Sequence, residues 1–167
     1  MPIVRDGKVV EDAWVAVADD EALPDGSPAV VSLCRWQNER ATLAYRNLPL
    51  GVRLKSSDSA AEIAADLIHF GIVVLEFPKF NDGRGFSAAR LLRERYGFKG
   101  EIRATGHIIR DQLQFLARCG VDSLDAADES WAEKWRIAQA EMSVFYQPAA
   151  DGRRPALALR HPLRAAQ

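Results

Sequence analysis

One loop of the sequence combines basic side chains, glycines and a helix start, a combination typical of anion-binding loops. It follows the apolar run Ile72–Phe77 and leads into a segment with helical periodicity. Glycines let the backbone approach a ligand closely, and the free amides in the first turn of a helix favour an anion. The alternative is a structural turn, in which Asn81-Asp82-Gly83 reverses the chain and Ser87 caps the helix. The candidate ligand-binding residues of this loop are Lys79, Asn81, Gly83, Arg84, Gly85 and Ser87.

A second loop, beginning at Arg103, should lie beside the first, because neighbouring parallel strands end at the same edge of a sheet. Arg110 lies at the start of the next helix, where its charge opposes the helix dipole and needs a partner, either Asp82 or a bound anion. Asp82 and Asp111 are the candidate acid–base catalysts. We expect both loops to converge on one anion. We also expect the loss of one of these arginines to weaken binding with little effect on folding, since they should be exposed.

The same loop also fits a dinucleotide-binding fingerprint, with Gly83, Gly85 and Ala88 in the G-x-G-x-x-A spacing. That fingerprint normally follows its strand directly, whereas five residues separate Phe77 from Gly83. The following strand ends near Arg103, which suits a 2′-phosphate and not a ribose hydroxyl. A nucleotide-dependent oxidoreductase is therefore kept as an alternative.

Cysteine and histidine offer no pattern for redox or metal chemistry. Cys34 and Cys119 are far apart in the chain and form no C-x-x-C motif. Cys119 falls at a helix end, a position that raises the pKa of a thiol. The three histidines have no ligand spacing: His69, His107 and His161. We therefore predict no metal site and no cofactor.

The chain resembles a bacterial family of unknown function whose members are commonly labelled as oxidoreductases of sulfite reduction. Their genes lie beside those of assimilatory sulfate reduction. The resemblance covers about residues 14–150 and is strongest over 77–125. It is carried by four segments: Phe77–Ser87, Ala89–Gly97, Arg110–Leu113 and Arg118–Asp122. It implies a role in sulfur assimilation.

Short apolar runs alternate with helical patterns along the chain, which predicts repeated βα units. The predicted strands are Val9-Val10, Trp14–Val17, Ala29–Leu33, Val52–Leu54, Ile72–Phe77, Glu101–Ala104, Val121–Asp125 and Ser143–Tyr146. The predicted helices cover about 35–46, 59–68, 87–96, 108–118 and 130–142. Capping boxes are expected at Ser59/Glu62 and at Ser130/Glu133.

These elements predict an α/β protein, a single domain of about five βα units with a mainly parallel sheet. The sheet is either open and doubly wound or an incomplete (β/α) barrel. Length favours the open sheet, because a full barrel needs about 250 residues. An irregular or short-stranded segment (1–28) precedes the α/β domain (29–147), and a loosely ordered basic tail follows (148–167).

Composition restricts the class of protein. The 167 residues are 48% hydrophobic and carry a net charge of −1, which predicts a globular chain without a nucleic-acid partner. The largest local basic excess lies in 79–118, which holds nine basic and four acidic residues, and a smaller one lies in 151–167. No apolar run reaches the roughly 20 residues of a membrane span, and the first residues do not form a signal peptide. We expect a cytoplasmic protein that does not bind membranes.

Two functions remain from the sequence. The first is an accessory or partner protein of assimilatory sulfite reduction without a redox centre of its own, acting with a sulfite reductase or another sulfate-assimilation enzyme. The second is a small α/β enzyme acting on a phosphorylated or sulfur-oxyanion compound. The oligomeric state stays open, with a homo-oligomer among the alternatives.

Overall fold

The computed structural model describes residues 1–160 and contains one eight-stranded sheet with helices packed on it. The strands are β1 (Ile3–Arg5), β2 (Lys8–Val10), β3 (Val15–Ala16), β4 (Ala29–Ser32), β5 (Leu50–Leu54), β6 (Phe70–Phe77), β7 (Glu101–Gly106) and β8 (Ser123–Asp125). The helices are α1 (Leu33–Leu43), α2 (Arg84–Arg90), α3 (Leu113–Arg118), α4 (Ser130–Glu141) and α5 (Ala156–Arg160). A 3₁₀ helix follows β5 (Ala60–His69), a π turn extends α2 (Leu91–Arg95), and a 3₁₀ turn precedes α3 (Arg110–Gln112).

The strand order is β2-β1-β8-β7-β6-β5-β4-β3, so six parallel strands follow one another in chain order. Strand β1 pairs antiparallel with both β2 and β8. Right-handed crossovers that always step in the same direction place all their helices on one face of the sheet. The expected open doubly wound sheet is therefore wrong, because such a sheet reverses its strand order. The incomplete barrel, our other alternative, describes the sheet: it is a curled half-barrel.

Chain length shows why the sheet must curl. The edge strands β2 and β3 are joined only by residues 11–14, which we call the strap. The five steps from Val10 to Val15 span at most about 18 Å. Seven strand spacings in a flat sheet would separate these edges by about 33 Å. The strap therefore crosses the concave face and holds the two edges together.

Five strands, β4 to β8, are each followed by a helix, as predicted, although the helix after β5 is 3₁₀. The sheet also contains three strands from the first 28 residues: β1 and β2 are antiparallel to their neighbours, and β3 is a parallel edge strand. The capping box at Ser59/Glu62 is confirmed. The one expected at Ser130/Glu133 is wrong, because Asp128 accepts the hydrogen bond from the backbone amide of Ser130 instead. Instead of the strand predicted over Ser143–Tyr146, only a single bridge joins Phe145 to Pro155.

Alternate strand residues face the two sides of the sheet, and the sides differ in composition. The helix-covered face forms the main core, with Val31, Val52, Val73, Ile102 and Leu124 all fully or almost fully buried. A smaller apolar group lies on the concave face, where Trp14 of the strap packs against three strand residues: Val30, Ile72 and Val74. Within residues 1–160, no helix has the length and apolar character required to cross a membrane. The last part of the predicted basic tail, 161–167, and with it His161, lies outside the described residues.

Candidate functional site

Five consecutive parallel strands carry a polar residue at or near their carboxyl ends. Each of these residues occupies a strand position whose side chain belongs to the concave face. These residues, which we call the mouth, are Ser32, Arg53, Glu76, Thr105 and Asp125, on β4 to β8 respectively. Their strand neighbours of opposite parity, such as Val52 and Leu75, belong to the main core. In (β/α) barrels the functional groups come from this end of the strands. The mouth is therefore the place where the fold presents polar groups to a ligand.

The floor of the mouth is apolar and closely packed. Val30 lies two residues before Ser32 and Ile72 lies four residues before Glu76, and Gly51 is paired between them in the register. A methyl group on Gly51 would approach Ile72 Cγ2 to 2.2 Å, so only glycine fits there. Trp14 covers the same floor, close to Gly71. A ligand would thus meet polar groups at the strand ends and an apolar surface beneath them.

Arg53 is the cation of the mouth. It is exposed and forms no ion pair or side-chain hydrogen bond with residues 1–160. It borders two cavities, of about 190 Å³ and about 160 Å³, and Lys55 borders the larger one. Helix α1 begins at this larger cavity and has no acidic residue in its first turn. Two cationic side chains and a helix N-terminus therefore surround it.

Three carboxylates also border the larger cavity, and each already accepts hydrogen bonds. Asp58 accepts one from the Lys55 amide at 2.8 Å. Glu62 accepts one from the Ser59 amide at 3.0 Å, within its capping box. Asp19 accepts one from the Ser32 hydroxyl at 2.6 Å. These acids hold turns and a helix end in place, whereas the Arg53 guanidinium is left for a ligand.

The opposite side of the mouth is acidic. Asp125 accepts a hydrogen bond from the Thr105 hydroxyl at 2.6 Å, which fixes its orientation. Glu76 lies beside Thr105 in the register of β6 and β7 and is half-buried. Within residues 1–160 its carboxylate has no ion pair or hydrogen-bond partner. A half-buried carboxylate of this kind is suited to accept a proton or a hydrogen bond from a ligand.

Arg103 lies in the interior of the half-barrel and does not reach the predicted loop. Its side chain is only 6% exposed and pairs with Asp12 at 2.9 Å and with Glu101 at 3.1 Å. Glu101 is also contacted by Arg5 and by the Ser123 hydroxyl. Arg103 therefore joins the strap to the sheet. The expected exposure is wrong for this arginine, so we now predict that its loss destabilises the fold.

In the predicted anion loop, the charged side chains of Arg84 and Asp82 pair with each other. Arg84 donates to Asp82 at 2.9 and 2.6 Å and to the Ser56 hydroxyl at 3.0 Å. The Arg84 hydrogen bonds hold the pKa of Asp82 well below its usual range, so Asp82 stays ionised. Lys79 and Asn81 are exposed, and Lys79 has no ion pair with residues 1–160. Arg84 also borders a small cavity with Lys55 and Glu76, which places this loop at the rim of the mouth.

The remaining loop residues have structural environments. Gly85 is buried in the first turn of α2, against the ring of Phe77. Gly83 precedes α2 without a side-chain cap, and Ser87 is exposed within the helix instead of capping it. The backbone amides of this loop, the Arg84 side chain and Arg103 are therefore not brought together.

Arg110 pairs with Glu141 and, at 3.5 Å, with Asp111, and not with Asp82. The two predicted loops are nevertheless neighbours. The Gln112 side chain donates to the Phe80 carbonyl at 2.6 Å, and the Phe80 and His107 rings are 6.0 Å apart. We expected the two loops to be neighbours. They are joined by the Gln112 side-chain amide and by the rings of Phe80 and His107, and not by the predicted charged residues.

Sequence reasoning missed the mouth residues Arg53 and Glu76. Both are single charged residues inside apolar strand segments, Val52–Leu54 and Val74–Phe77. A charge at such a position costs free energy unless it reaches solvent or a partner. A charged residue within an apolar strand segment, close to its carboxyl end, was therefore the feature of the sequence that could have identified these two residues.

The two cysteines are both free and lie in different environments. Cys119 is buried, and burial is the main cause that raises its pKa to about 11. Cys34 is exposed at the start of α1. In the part of the chain that the structure describes, no group of three or more potential metal ligands occurs.

Comparison with known proteins places the chain in a family. No curated protein and no solved structure matches it. The model of one family matches residues 51–157, nearly two thirds of the sequence, and its description is "Bacterial protein of unknown function" (DUF934). The match includes four of the five mouth residues, from Arg53 to Asp125, and both predicted loops. The chain therefore belongs to this bacterial family.

Proposed function

We propose that the protein binds and transforms a small anionic compound, either phosphorylated or a sulfur oxyanion, at the mouth of the half-barrel. The observation that carries this proposal is the row of polar strand ends, in which Arg53 has no ion pair among residues 1–160. Arginine is the side chain best suited to planar, two-point recognition of oxyanions.

In this proposal Arg53 and Lys55 bind the anionic group. The N-terminus of α1 adds a favourable field, because helix N-termini carry partial positive charge. The cavity they border, about 190 Å³, is suited to a small group and not to a large cofactor.

Glu76 is the proposed acid–base group. It is half-buried, lies on the strand next to Arg53 and has no partner within residues 1–160. Asp82 and Asp111 were the candidates from sequence. The low pKa of Asp82 keeps it ionised and bound to Arg84, which makes it a weak base. Asp111 is largely exposed beside Arg110. We therefore assign this role to Glu76.

Binding of sulfate, sulfite, phosphate and phosphate monoesters, measured by calorimetry, tests the proposal. Arg53→Ala should weaken binding about tenfold or more, because a charge-assisted hydrogen bond contributes roughly 1.5–3 kcal/mol. Arg95→Ala is the matched control, since Arg95 is exposed near the other end of the strands. Unchanged affinity in Arg53→Ala, or no binding of any of these anions by the wild type, would contradict the proposal.

An accessory role in assimilatory sulfite reduction is the second proposed function. Its pathway comes from the family resemblance. One surface feature favours a protein partner: Phe80, in the loop before α2, and Phe115, on α3, are 53% and 51% exposed. Phe80 packs against His107 and Phe115 packs against Phe86, and Gln112, three residues before Phe115, donates to the Phe80 carbonyl. Exposed aromatic side chains that lie together are common at protein interfaces.

Growth of a deletion strain tests the pathway. It should grow on sulfide or cysteine and poorly on sulfate or sulfite, and equal growth on all four sources would remove this role. A Phe80→Asp/Phe115→Asp double variant tests the surface. It should fail to restore growth and fail to co-purify a sulfite reductase, whereas Tyr45→Asp, at an exposed site after α1, should do both.

A further inference from the structure

We infer that the ligand of the mouth is bipolar: it carries an oxyanion at one end and an amine or another hydrogen-bond donor at the other. This inference rests on the proposed function. It follows from the arrangement of charge across the strands. The cations Arg53 and Lys55 lie on and directly after β5, where the carboxylates of Asp19, Asp58 and Glu62 already accept hydrogen bonds from a hydroxyl or a backbone amide. The carboxylates of Glu76 and Asp125 lie on β6 and β8.

The acidic side of the mouth is not neutralised by its own arginines. The concave side of β1 and β6 to β8, with the strap, holds two arginines and four carboxylates: Arg5, Arg103, Asp12, Glu76, Glu101 and Asp125. Arg103 is closest to Asp12 and Glu101, and lies 4.0 Å from Asp125. Glu76 pairs with neither arginine, and the cations that border the small cavity beside it, Lys55 and Arg84, form no ion pair with it within residues 1–160. The excess of two negative charges favours a donor or a cation at this side.

A simple inorganic anion would complement only part of the site. It would contact Arg53 and leave the Glu76 carboxylate in a half-buried position without a partner. A polar group that loses water and gains no hydrogen bond costs free energy. A ligand that also carries an amine would bind Glu76 by a charge-assisted hydrogen bond. Both sides of the mouth are then satisfied by one molecule.

The strand register sets the length of this ligand. Arg53 is the register partner of Val74, so Glu76 lies one strand across and two residues further along, about 8 Å away. Asp125 lies three strands from β5 and is also two residues further along, about 16 Å away along the sheet. The donor should therefore lie between these two distances from the oxyanion, as in a phosphate or sulfate monoester with a short aminoalkyl chain.

A matched pair of probes, butyl phosphate and 4-aminobutyl phosphate, tests this inference by calorimetry. The two differ only in the terminal amine. The wild type should bind the amine about tenfold more tightly. Glu76→Gln should reduce this preference to threefold or less, because the neutral amide cannot form an ion pair with the terminal ammonium group. Glu94→Gln, on the exposed π turn after α2, is the control and should keep the full preference. The corresponding sulfate monoesters distinguish the two oxyanion classes.

The possible failures are distinguishable. Equal affinity for the two phosphates in the wild type, with binding that still depends on Arg53, would overturn the bipolar ligand and leave the proposed function intact. The same preference in Glu76→Gln as in the wild type would also overturn it. Binding of neither probe would overturn the inference and the proposed function together. Thermal melting of each variant shows that the compared proteins are folded.

Discussion

Gly85 shows how one residue can be fixed by packing and not by backbone conformation. It lies in the first turn of α2, where its backbone is helical and alanine would raise helix propensity. A methyl group there, however, would come within 2.4 Å of the Phe77 ring, which is itself buried. The close contact between α2 and β6 therefore requires glycine.

We expect Gly85→Ala to lower the free energy of unfolding by about 1–3 kcal/mol, the usual cost of overpacking a core. Gly83→Ala is the control two residues earlier, because its methyl group would meet only Phe86, at an ordinary 3.8 Å. Urea unfolding measures both. Equal stability of the two variants would contradict the packing argument.

Cys119 should make stability fall in alkaline solution. Burial raises its pKa from an ordinary value of 9.0 to about 11, so the folded protein holds the thiol proton more tightly than the unfolded chain. Between these two pH values the unfolded state binds fewer protons, and unfolding becomes more favourable as the pH rises. Wild type and Cys119→Ala, compared by urea unfolding from pH 8 to 11, should differ in slope. Parallel profiles would contradict this prediction.

At the scale of elements, only one of the two expected capping boxes is formed: the box at Ser59 is present, and the box at Ser130 is not. The Ser59 hydroxyl oxygen accepts a hydrogen bond from the Ala61 amide at 3.3 Å. The Glu62 carboxylate accepts one from the Ser59 amide at 3.0 Å. Ser130 has the same spacing to Glu133, but its amide donates to Asp128 at 2.8 Å. The side chain of Asp128, two positions before Ser130, therefore accepts a hydrogen bond from the first backbone amide of α4.

We expect Ser59→Ala to cost about 1 kcal/mol of stability, as for other N-cap serines. Ser130→Ala should cost less than about 0.5 kcal/mol, the usual range of a surface substitution. Thermal melting of both variants measures the difference. A larger loss in Ser130→Ala than in Ser59→Ala would show that the sequence pattern, and not the observed hydrogen bonds, identifies the caps.

At the scale of the whole molecule, the half-barrel depends on a buried arginine. Arg103 on β7 joins Asp12 of the strap and Glu101 of its own strand, while Arg5 of β1 contacts Glu101 from the other side. These contacts connect the strap to β7 and to β1 on the concave face. Arg103 and Glu101 are buried, whereas Arg5 and Asp12 are partly exposed. The loss of Arg103 therefore leaves the buried Glu101 carboxylate without one of its partners.

Arg103→Ala should therefore destabilise the fold by about 3–5 kcal/mol, the typical cost of breaking a buried ion pair. Arg84→Ala is the control, because Arg84 is 63% exposed and pairs at the surface. Its unfolding midpoint should match that of the wild type. A normal midpoint for Arg103→Ala would show that the strap and the sheet are held together without this network.

The sequence alone determined what local interactions control. The strand and helix segments, the α/β class and the Ser59 cap depend on residues a few positions apart, whose periodicity and hydrogen bonds are visible in the chain. The position of the predicted loops, both at the carboxyl ends of neighbouring strands, followed from the same logic.

The tertiary structure decided the curl of the sheet and the partners of its charges. Nothing local distinguishes the doubly wound order from the sequential one, because each βα unit is the same in both. Arg103 and Asp12 are 91 positions apart, and Arg110 and Glu141 are 31 apart. Whether an arginine is left for a ligand depends on which distant carboxylate the fold brings to it. Arg103 and Arg110 received such partners, whereas Arg53, at the mouth of the half-barrel, received none within residues 1–160.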